Sequence, residues 1–293
     1  MIAKMITKHA LASISLLVSA SSLLAEDRVR EDFRYTFTLA NGRLDVSAFN
    51  GSIEIIGGDS QTVEITGAKH ARDNAELSRF QVEAVQEGNL VRIRAVKPAD
   101  SNWRCQCGAE FTIRVPRRIE LSSIRTSNGA IRIENIEGKV DAATSNGSLR
   151  LFQIKGKVDA RTSNGAVEIQ SITGAVSVVT SNGAIKGRIV DTMTADAVRL
   201  STSNGAIDVR IEAQHNNDIT ASTSNGGITV RMPETANARI SATTSNHESV
   251  TTDFPVQVRG LLSKNKLEGA IGNGGGPLLQ LSTSNGSIKL LRL

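Results

Sequence analysis

Thr126-Ser127-Asn128-Gly129-Ala130-Ile131-Arg132-Ile133 is followed 18 residues later by Thr144-Ser145-Asn146-Gly147-Ser148-Leu149-Arg150-Leu151, and 18 after that by Thr162-Ser163-Asn164-Gly165-Ala166-Val167-Glu168-Ile169. Thr-Ser-Asn-Gly recurs at 180–183, 202–205, 223–226 and 283–286, with a variant Thr244-Ser245-Asn246-His247. Successive spacings are 18, 18, 18, 22, 21, 21 and 39; the last divides into 19 and 20 if Asn265 in Ser263-Lys264-Asn265-Lys266 is a decayed copy. A fixed period of this size marks an array of units, each burying its apolar face against the next. The apolar residues after each motif alternate, as in Ile207 and Val209 or Ile228 and Val230. Period two is the pattern of an extended strand with one buried face. Ile136, Ile154 and Ile172, then Gly138, Gly156 and Gly174, then Val140, Val158 and Val176 complete the unit as two or three short strands with glycine corners.

Asn-Gly between alternating strands is also a hairpin signal, which would give an antiparallel meander. The match between equivalent positions decides against it, because only a parallel coil stacks each position on itself, about 4.8 Å away. Repeated Thr, Asn and aliphatic residues then form self-matching ladders, with hydrogen bonds running along the Asn column. The fold class read from the sequence is all-β: a single-chain parallel β-solenoid or β-helix with coils of 18 to 22 residues. Its structural corners are Asn128-Gly129, Asn146-Gly147, Asn164-Gly165, Asn182-Gly183, Asn204-Gly205, Asn225-Gly226 and Asn285-Gly286. Strand parity places Thr and Asn inward and Ser outward, and Gly is expected to supply a positive φ. Insertions at Asp191 to Ala195 and Ala213 to Asn217 read as loops, and eight or nine coils make a rod on the order of 40 Å long.

The aromatic residues agree with a thin core. Of nine, seven lie before residue 126, and only Phe152 and Phe254 follow. Residues 26–120 alternate less regularly and read as a β-rich segment capping the solenoid of residues 121–293, because a solenoid end exposes unpaired strand edges. The glycine-rich run before the final strand leaves the other end less covered and open to edge-to-edge self-association. An apolar fraction of 39% and a mixed 22% charged content exclude both a disordered chain and a multi-span membrane protein.

Residues 1–25 have the form of a secretory signal peptide: Lys4 and Lys8, an apolar stretch from Ala10 to Leu24, then Ala25 before Glu26-Asp27-Arg28. About 15 apolar residues are too few for a membrane span, so the remaining chain is expected to be exported, periplasmic or extracellular, with no transmembrane segment. Removing two lysines reduces the net charge from +5 to +3, which does not predict nucleic-acid binding. Cys105 and Cys107 read as a local disulfide pinning a turn. Free or partner-linked thiols and a metal site are the competing readings, the last lacking further ligands at suitable spacing.

The order Asn50-Gly51-Ser52-Ile53, then Phe111-Thr112-Ile113-Arg114-Val115-Pro116, then serial Thr-Ser-Asn-Gly copies, then a glycine-rich loop before Thr283-Ser284-Asn285-Gly286-Ser287-Ile288 closely resembles an uncharacterised bacterial family labelled putative adhesin. It is also similar to the β-helical head domains of autotransporter adhesins. The likeness spans about residues 33 to 293. It implies export and an adhesive or structural shape, and the family offers no established reaction or functional residues to carry across.

Catalytic motifs are absent: no His-Glu-x-x-His, no Gly-x-Ser-x-Gly, no phosphate loop and no Asp-rich calcium loop. No cofactor or metal is implied, and Gly272 to Gly276 reads as a plain loop. Asp141 and Asp159 occupy equivalent outward positions and read as a solvated pair rather than glycosidase carboxylates. Lys186, Arg188, Arg210 and Arg231 form a basic column on successive coils, read either as a self-paired face, with Asp208 as one neutralising carboxylate, or as a weak site for an anionic polymer such as an envelope polysaccharide. The function expected is that of an exported, non-enzymatic envelope protein presenting stacked β-faces to a polymer or protein partner. A carbohydrate-active enzyme on a β-helix is the alternative, and an ice-binding solenoid, prompted by outward Ser201 and Ser203, Ser222 and Ser224, and Ser282 and Ser284, a weaker one.

Overall fold

The computed structural model describes residues 28–39, 41–97, 105–192, 197–245, 248–258 and 263–293. Residues 1–25, expected from the sequence to be a signal peptide, Trp103, residues 193–195 of the first expected insertion and Asn246-His247 lie outside the described residues. Strands run parallel to their counterparts in neighbouring coils, so the architecture is a parallel solenoid and not a meander. Leu149–Lys155, for example, lies between Ile131–Glu137 and Val167–Thr173, with Leu149 opposite both Ile131 and Val167. Val140–Asn146 and Val158–Asn164 pair in the same way, with Val140 opposite Val158 and Asn146 opposite Asn164. Each coil gives one strand to each of two long sheets of 12 and 13 strands.

The interior is one aliphatic side chain deep on each side. Ile53, Ile131, Leu149, Val167, Ile185, Ile207, Ile228 and Ile288 form one buried ladder. Leu44, Leu121, Val140, Val158, Val176, Val198, Ile219 and Leu279 form its counterpart on the facing sheet. Each such side chain contributes roughly 1.5–3 kcal/mol by leaving water. The buried apolar residues form one continuous cluster from Phe37 to Leu290, unbroken at residue 120.

Every letter of Thr-Ser-Asn-Gly has a separate physical task. The buried Thr144 hydroxyl donates to the carbonyl of Gly129 at 3.0 Å, and Thr162 and Thr180 donate likewise to Gly147 and Gly165. A buried hydroxyl is thereby satisfied and stitches one coil to the last. Ser faces solvent. The Nδ2 group of each Asn donates to Oδ1 of its counterpart in an unbroken run from Asn285 through Asn225, Asn204, Asn182, Asn164, Asn146 and Asn128 to Asn50, at 2.7–2.8 Å. The corner glycine is needed because of crowding. A Cβ on Gly147, Gly165 or Gly183 would stand 2.0 Å from the carbonyl oxygen of the corner glycine one coil earlier.

Two expectations about the corner are therefore corrected. Asn128 through Asn285 are exposed, not inward, because the chain rolls outward between the buried Thr and the Gly. There the amide keeps its second donor and acceptor in water while the ladder takes the first pair. Positive φ is also not the reason for glycine: of the seven corner glycines only Gly226 has φ in that range, at +154°. The left-handed residues sit instead at the opposite bend, where Asn135, Gln153 and Ser171 have φ of 61°, 54° and 57°.

Chain order and stacking order part company near the C-terminus. Leu278–Asn285 pairs on one side with Ile219–Asn225 and on the other with Ala238–Thr243, so the last coil of the sequence is inserted between two earlier ones. Thr283 accordingly donates to Gly226, and Thr244 to Gly286. Asn265 is not a decayed corner, since Lys266–Ile271 returns antiparallel on Ala238–Thr243. Gln257–Val258 adds to that return strand, so the second sheet is covered at this end, while the first ends on the short strand Val250–Thr252.

At the other end Arg43–Ser47 and Ile53–Gly58 form a coil directly on the first repeat, and Leu90–Val96 and Gly108–Pro116 form one more beyond it. The described residues thus hold ten coils, not eight or nine, because this outermost coil lacks the motif. Antiparallel strands Val29–Thr38, Thr62–Ala71 and Gln81–Glu87 close the end. The rings gather here, with Phe33 5.5 Å from Phe111 and Phe49 5.1 Å from Phe80.

The corner geometry yields a direct expectation. Gly165→Ala must push its Cβ against the Gly147 carbonyl and should cost roughly 3 kcal/mol or more. Gly58→Ala meets nothing within 4 Å and should change stability by less than about 0.5 kcal/mol. Urea unfolding followed by circular dichroism separates the two, and equal midpoints would refute the crowding account.

Candidate functional site

With its interior filled, the rod has two long outer faces with different chemistry. On the sheet containing Val140–Asn146, exposed Ser127, Ser145, Ser163, Ser181, Ser203, Ser224 and Ser284 run in one column beside the exposed Asn ladder. Ser201, Ser222 and Ser282 flank it in register, and Ser222 donates to Ser201 at 3.2 Å. The result is a long uncharged hydroxyl and amide strip with a repeat of about 4.8 Å.

The opposite sheet carries the basic column, while beside the strip its own sheet bears charge at Arg125, Asp141, Asp159 and Arg161. Arg188, Arg210 and Arg231 stand in register on consecutive coils, as the sequence column requires, and Lys186 lies opposite Glu168 and Asp208. Stacked guanidinium groups repel unless a carboxylate intervenes. Glu212 is that carboxylate: it accepts from Arg188 through Nε and Nη2 at 3.0 and 2.9 Å and from Arg210 at 3.1 Å. Arg231 pairs with Asp208. The Arg188 hydrogen bonds, together with the charge of Arg210, hold the Glu212 carboxyl below its ordinary value of 4.5. Glu212 was legible in principle, being two residues past Arg210 on the same face, but the sequence points first to Asp208, inside the repeated strand, as the neutralising carboxylate.

Asp141 and Asp159 are neighbours in register, but neither is simply solvated. Arg125 reaches Asp141 at 2.7 Å and Arg161 reaches Asp159 at 2.7 Å, so each carboxylate is held by a guanidinium. Cys105 and Cys107 are disulfide-bonded with Cα atoms 5.2 Å apart, at the corner of the outermost coil. Asn50 donates to the Cys107 carbonyl at 2.9 Å, which ends the Asn ladder on a backbone acceptor. Gly272 and Gly274 adopt φ of 68° and 80° in a turn. No group of three or more His, Cys, Asp or Glu able to hold a metal occurs among the described residues.

Fold and faces together define the class: a two-sheet parallel β-solenoid with antiparallel strands at its ends. No protein-family model and no curated protein matches the chain. Among solved structures it is similar to a putative adhesin from Parabacteroides merdae ATCC 43184, with a TM-score of 0.38 and 11% identity over 89% of this chain and 96% of that one. It is also similar to a putative adhesin from Bacteroides fragilis NCTC 9343, with a TM-score of 0.33 and 14% identity over 92% and 98%. A putative cell adhesion protein from Clostridium sporogenes ATCC 15579 gives 0.32 and 10% over 90% and 100%. No helix among the described residues is long and apolar enough to cross a membrane.

Removing Glu212 tests how far the basic column is spent internally. Glu212→Gln should elute from a sulfated-polysaccharide column at higher salt than the wild type, and R188Q/R210Q/R231Q below both; coincident elution would show that the column never meets the polymer. The sign with pH is fixed by a depressed folded-state pKa. The stability due to Glu212 is present above pH 4.5 and lost as pH falls through the lower folded value. The gap in thermal midpoint between wild type and Glu212→Gln should close on acidification over that range.

Proposed function

We propose that the chain is an exported, non-enzymatic binding module of the cell envelope that presents its stacked β-faces to an extended polysaccharide or a surface protein. The observation that carries this reading is the uninterrupted Ser and Asn strip from Ser127 to Ser284, exposed along its whole length. A polymer with its own short repeat can meet such a strip at many equivalent points, so weak contacts add along the rod. The basic column contributes less, because Glu212 and Asp208 already occupy its guanidinium groups. At the C-terminal end the sheet edges available to self-association are Val250–Thr252 and Gln257–Val258, three and two residues long, and such brevity blunts edge pairing there, whereas the N-terminal end presents the longer edges of Val29–Thr38 and Gln81–Glu87.

The enzymatic alternative needs two carboxylates free to act as acid and base or nucleophile. Asp141 and Asp159 are a carboxylate pair on adjacent coils, and both are engaged by arginines.

The test is co-sedimentation of the protein lacking residues 1–25 with insoluble envelope polysaccharide, alongside an assay for new reducing ends and unsaturated products. Binding without product is expected, and Ser163→Arg with Ser181→Arg should weaken it by crowding the strip. Product formation would replace this reading with the enzymatic one.

A further inference from the structure

The two sheets do not stop together at the N-terminal end. Counting outward from the first repeat, one sheet continues through Arg43–Ser47, Leu90–Val96 and Gln81–Glu87, and the other through Ile53–Gly58, Gly108–Pro116, Thr62–Ala71 and Val29–Thr38. Val29–Thr38 therefore stands one strand beyond the facing sheet, and no strand among the described residues pairs with its outer edge. Its inner side chains are incompletely covered. Phe33 and Tyr35 are half-buried with their rings 5.9 Å apart, and the Tyr35 hydroxyl donates across to the Val82 carbonyl at 3.0 Å.

This edge lacks the usual guards. Proteins blunt an exposed edge with a short strand, a proline, a bulge or an unpaired inward-pointing charge. Here the strand is ten residues long, contains no proline and pairs with Thr62–Ala71 without a register shift. Its one inward charge, Glu31, is neutralised by Lys69 at 3.1 Å. The outward charges, Arg30, Asp32 and Arg34, are of both signs, so they discriminate between registers instead of forbidding pairing.

Ladder parity identifies the free backbone groups. Leu39 N–H donates to the Gln61 carbonyl at 2.9 Å, which makes Leu39 and Gln61 a hydrogen-bonded pair. Such pairs alternate along an antiparallel ladder, so Val29, Glu31, Phe33, Tyr35 and Phe37 turn their backbone groups toward Thr62–Ala71. Arg30, Asp32, Arg34, Thr36 and Thr38 turn theirs outward. Of these, the Thr38 carbonyl already accepts from the Gln86 amide at 3.0 Å, which leaves Arg30 to Thr36 as the open run.

We propose that Val29–Thr38 is a dimerisation edge, pairing antiparallel with the same strand of a second copy about a two-fold axis through Phe33. A two-fold contact is self-complementary, and outward groups must face outward groups, which excludes any axis passing between two residues. Charge then selects among the rest, because like charges directly opposite are destabilising. An axis through Asp32 opposes Arg30 to Arg34 and Asp32 to itself, and one through Arg34 opposes Arg34 to itself. An axis through Glu31 shortens the overlap and sets Arg28 against Arg34, and one through Tyr35 forms no charge pair and needs the occupied Thr38 carbonyl. Only the axis through Phe33 sets Asp32 opposite Arg34 of the second copy, twice, with Arg30 opposite Thr36. The two Phe33 side chains then meet at a non-hydrogen-bonded pair, where side chains come closest. The axis is perpendicular to the sheet, so both copies turn their Ser and Asn strips to the same side and double the contacts offered to a repeating ligand. The pairing itself stands apart from what the strip binds.

Sedimentation velocity on the protein lacking residues 1–25 tests the pairing, with circular dichroism reporting the fold of each variant. The wild type is expected to show a concentration-dependent equilibrium between monomer and dimer. Asp32→Arg and Arg34→Asp each oppose like charges twice by symmetry, and each should raise the dimer dissociation constant roughly tenfold or more. The double variant D32R/R34D restores opposite charges and should return it to near the wild-type value. Thr36→Pro removes an outward N–H that the fold itself does not use, a substitution that edge strands tolerate, and should leave a folded monomer. A wild type that is monomeric at every concentration reached, a dimer that survives Thr36→Pro, or a folded double variant that stays monomeric would overturn the proposal.

Discussion

Everything in this molecule follows from how closely one backbone passes the next at the Asn-Gly corner. Parallel strands repeat at about 4.8 Å, and at that separation the carbonyl of one corner glycine points at the place where the next would carry a Cβ, 2.0 Å away. Only glycine tolerates the approach. Once it is allowed, the same carbonyl accepts the Thr hydroxyl of the following coil, and the preceding Asn amides come within hydrogen-bonding distance of one another. Four adjacent residues thus close a corner, satisfy a buried hydroxyl and set the register of both sheets. Hydrogen bonds in a chain polarise one another, and the Asn amides all donate in one direction, toward Asn50 and the Cys107 carbonyl.

The aromatic distribution is a consequence of the same spacing. Identical aliphatic residues stack on themselves in a thin interior, and rings collect where the ladder ends and the antiparallel strands must be filled in, at Phe33, Phe49, Phe80 and Phe111. The covering strands differ at the two ends because the chain reaches them differently. At the N-terminal end antiparallel strands fold over a coil that lacks the motif. At the C-terminal end the chain turns back on Ala238–Thr243, then enters the stack to form its final coil.

How much of this was legible depended on whether the information was periodic. Coil length, parallel stacking and the Thr, Asn and aliphatic ladders were readable because each position repeats its own type. The direction of Asn was not: parity assumes a straight strand, and the outward roll happens within two residues. The role of Gly was misassigned for a related reason, since a close approach between coils is invisible to a local argument about φ, whereas Asn135, Gln153 and Ser171 took the left-handed conformation without a glycine to announce it. The insertion of Leu278–Asn285 between earlier coils was also hidden, because sequence order carries no record of an exchange in space. That exchange is what brings the Gly275 carbonyl to the Asn237 amide, a contact that no single loop announces. The arginine column was visible, but its partner Glu212 lies past the end of the motif and shows its purpose only when two coils are laid side by side.

The central claim is that the Asn side chains form one continuous ladder that holds the coils in register, and side-chain amide exchange measures it directly. In a protein labelled with ¹⁵N at asparagine, the account predicts that the Nδ2 groups of Asn128, Asn146, Asn164, Asn182, Asn204, Asn225 and Asn285 each show one proton protected from exchange, although all seven side chains are exposed. Exchange of both protons at the rate of a free carboxamide at those seven positions would contradict it.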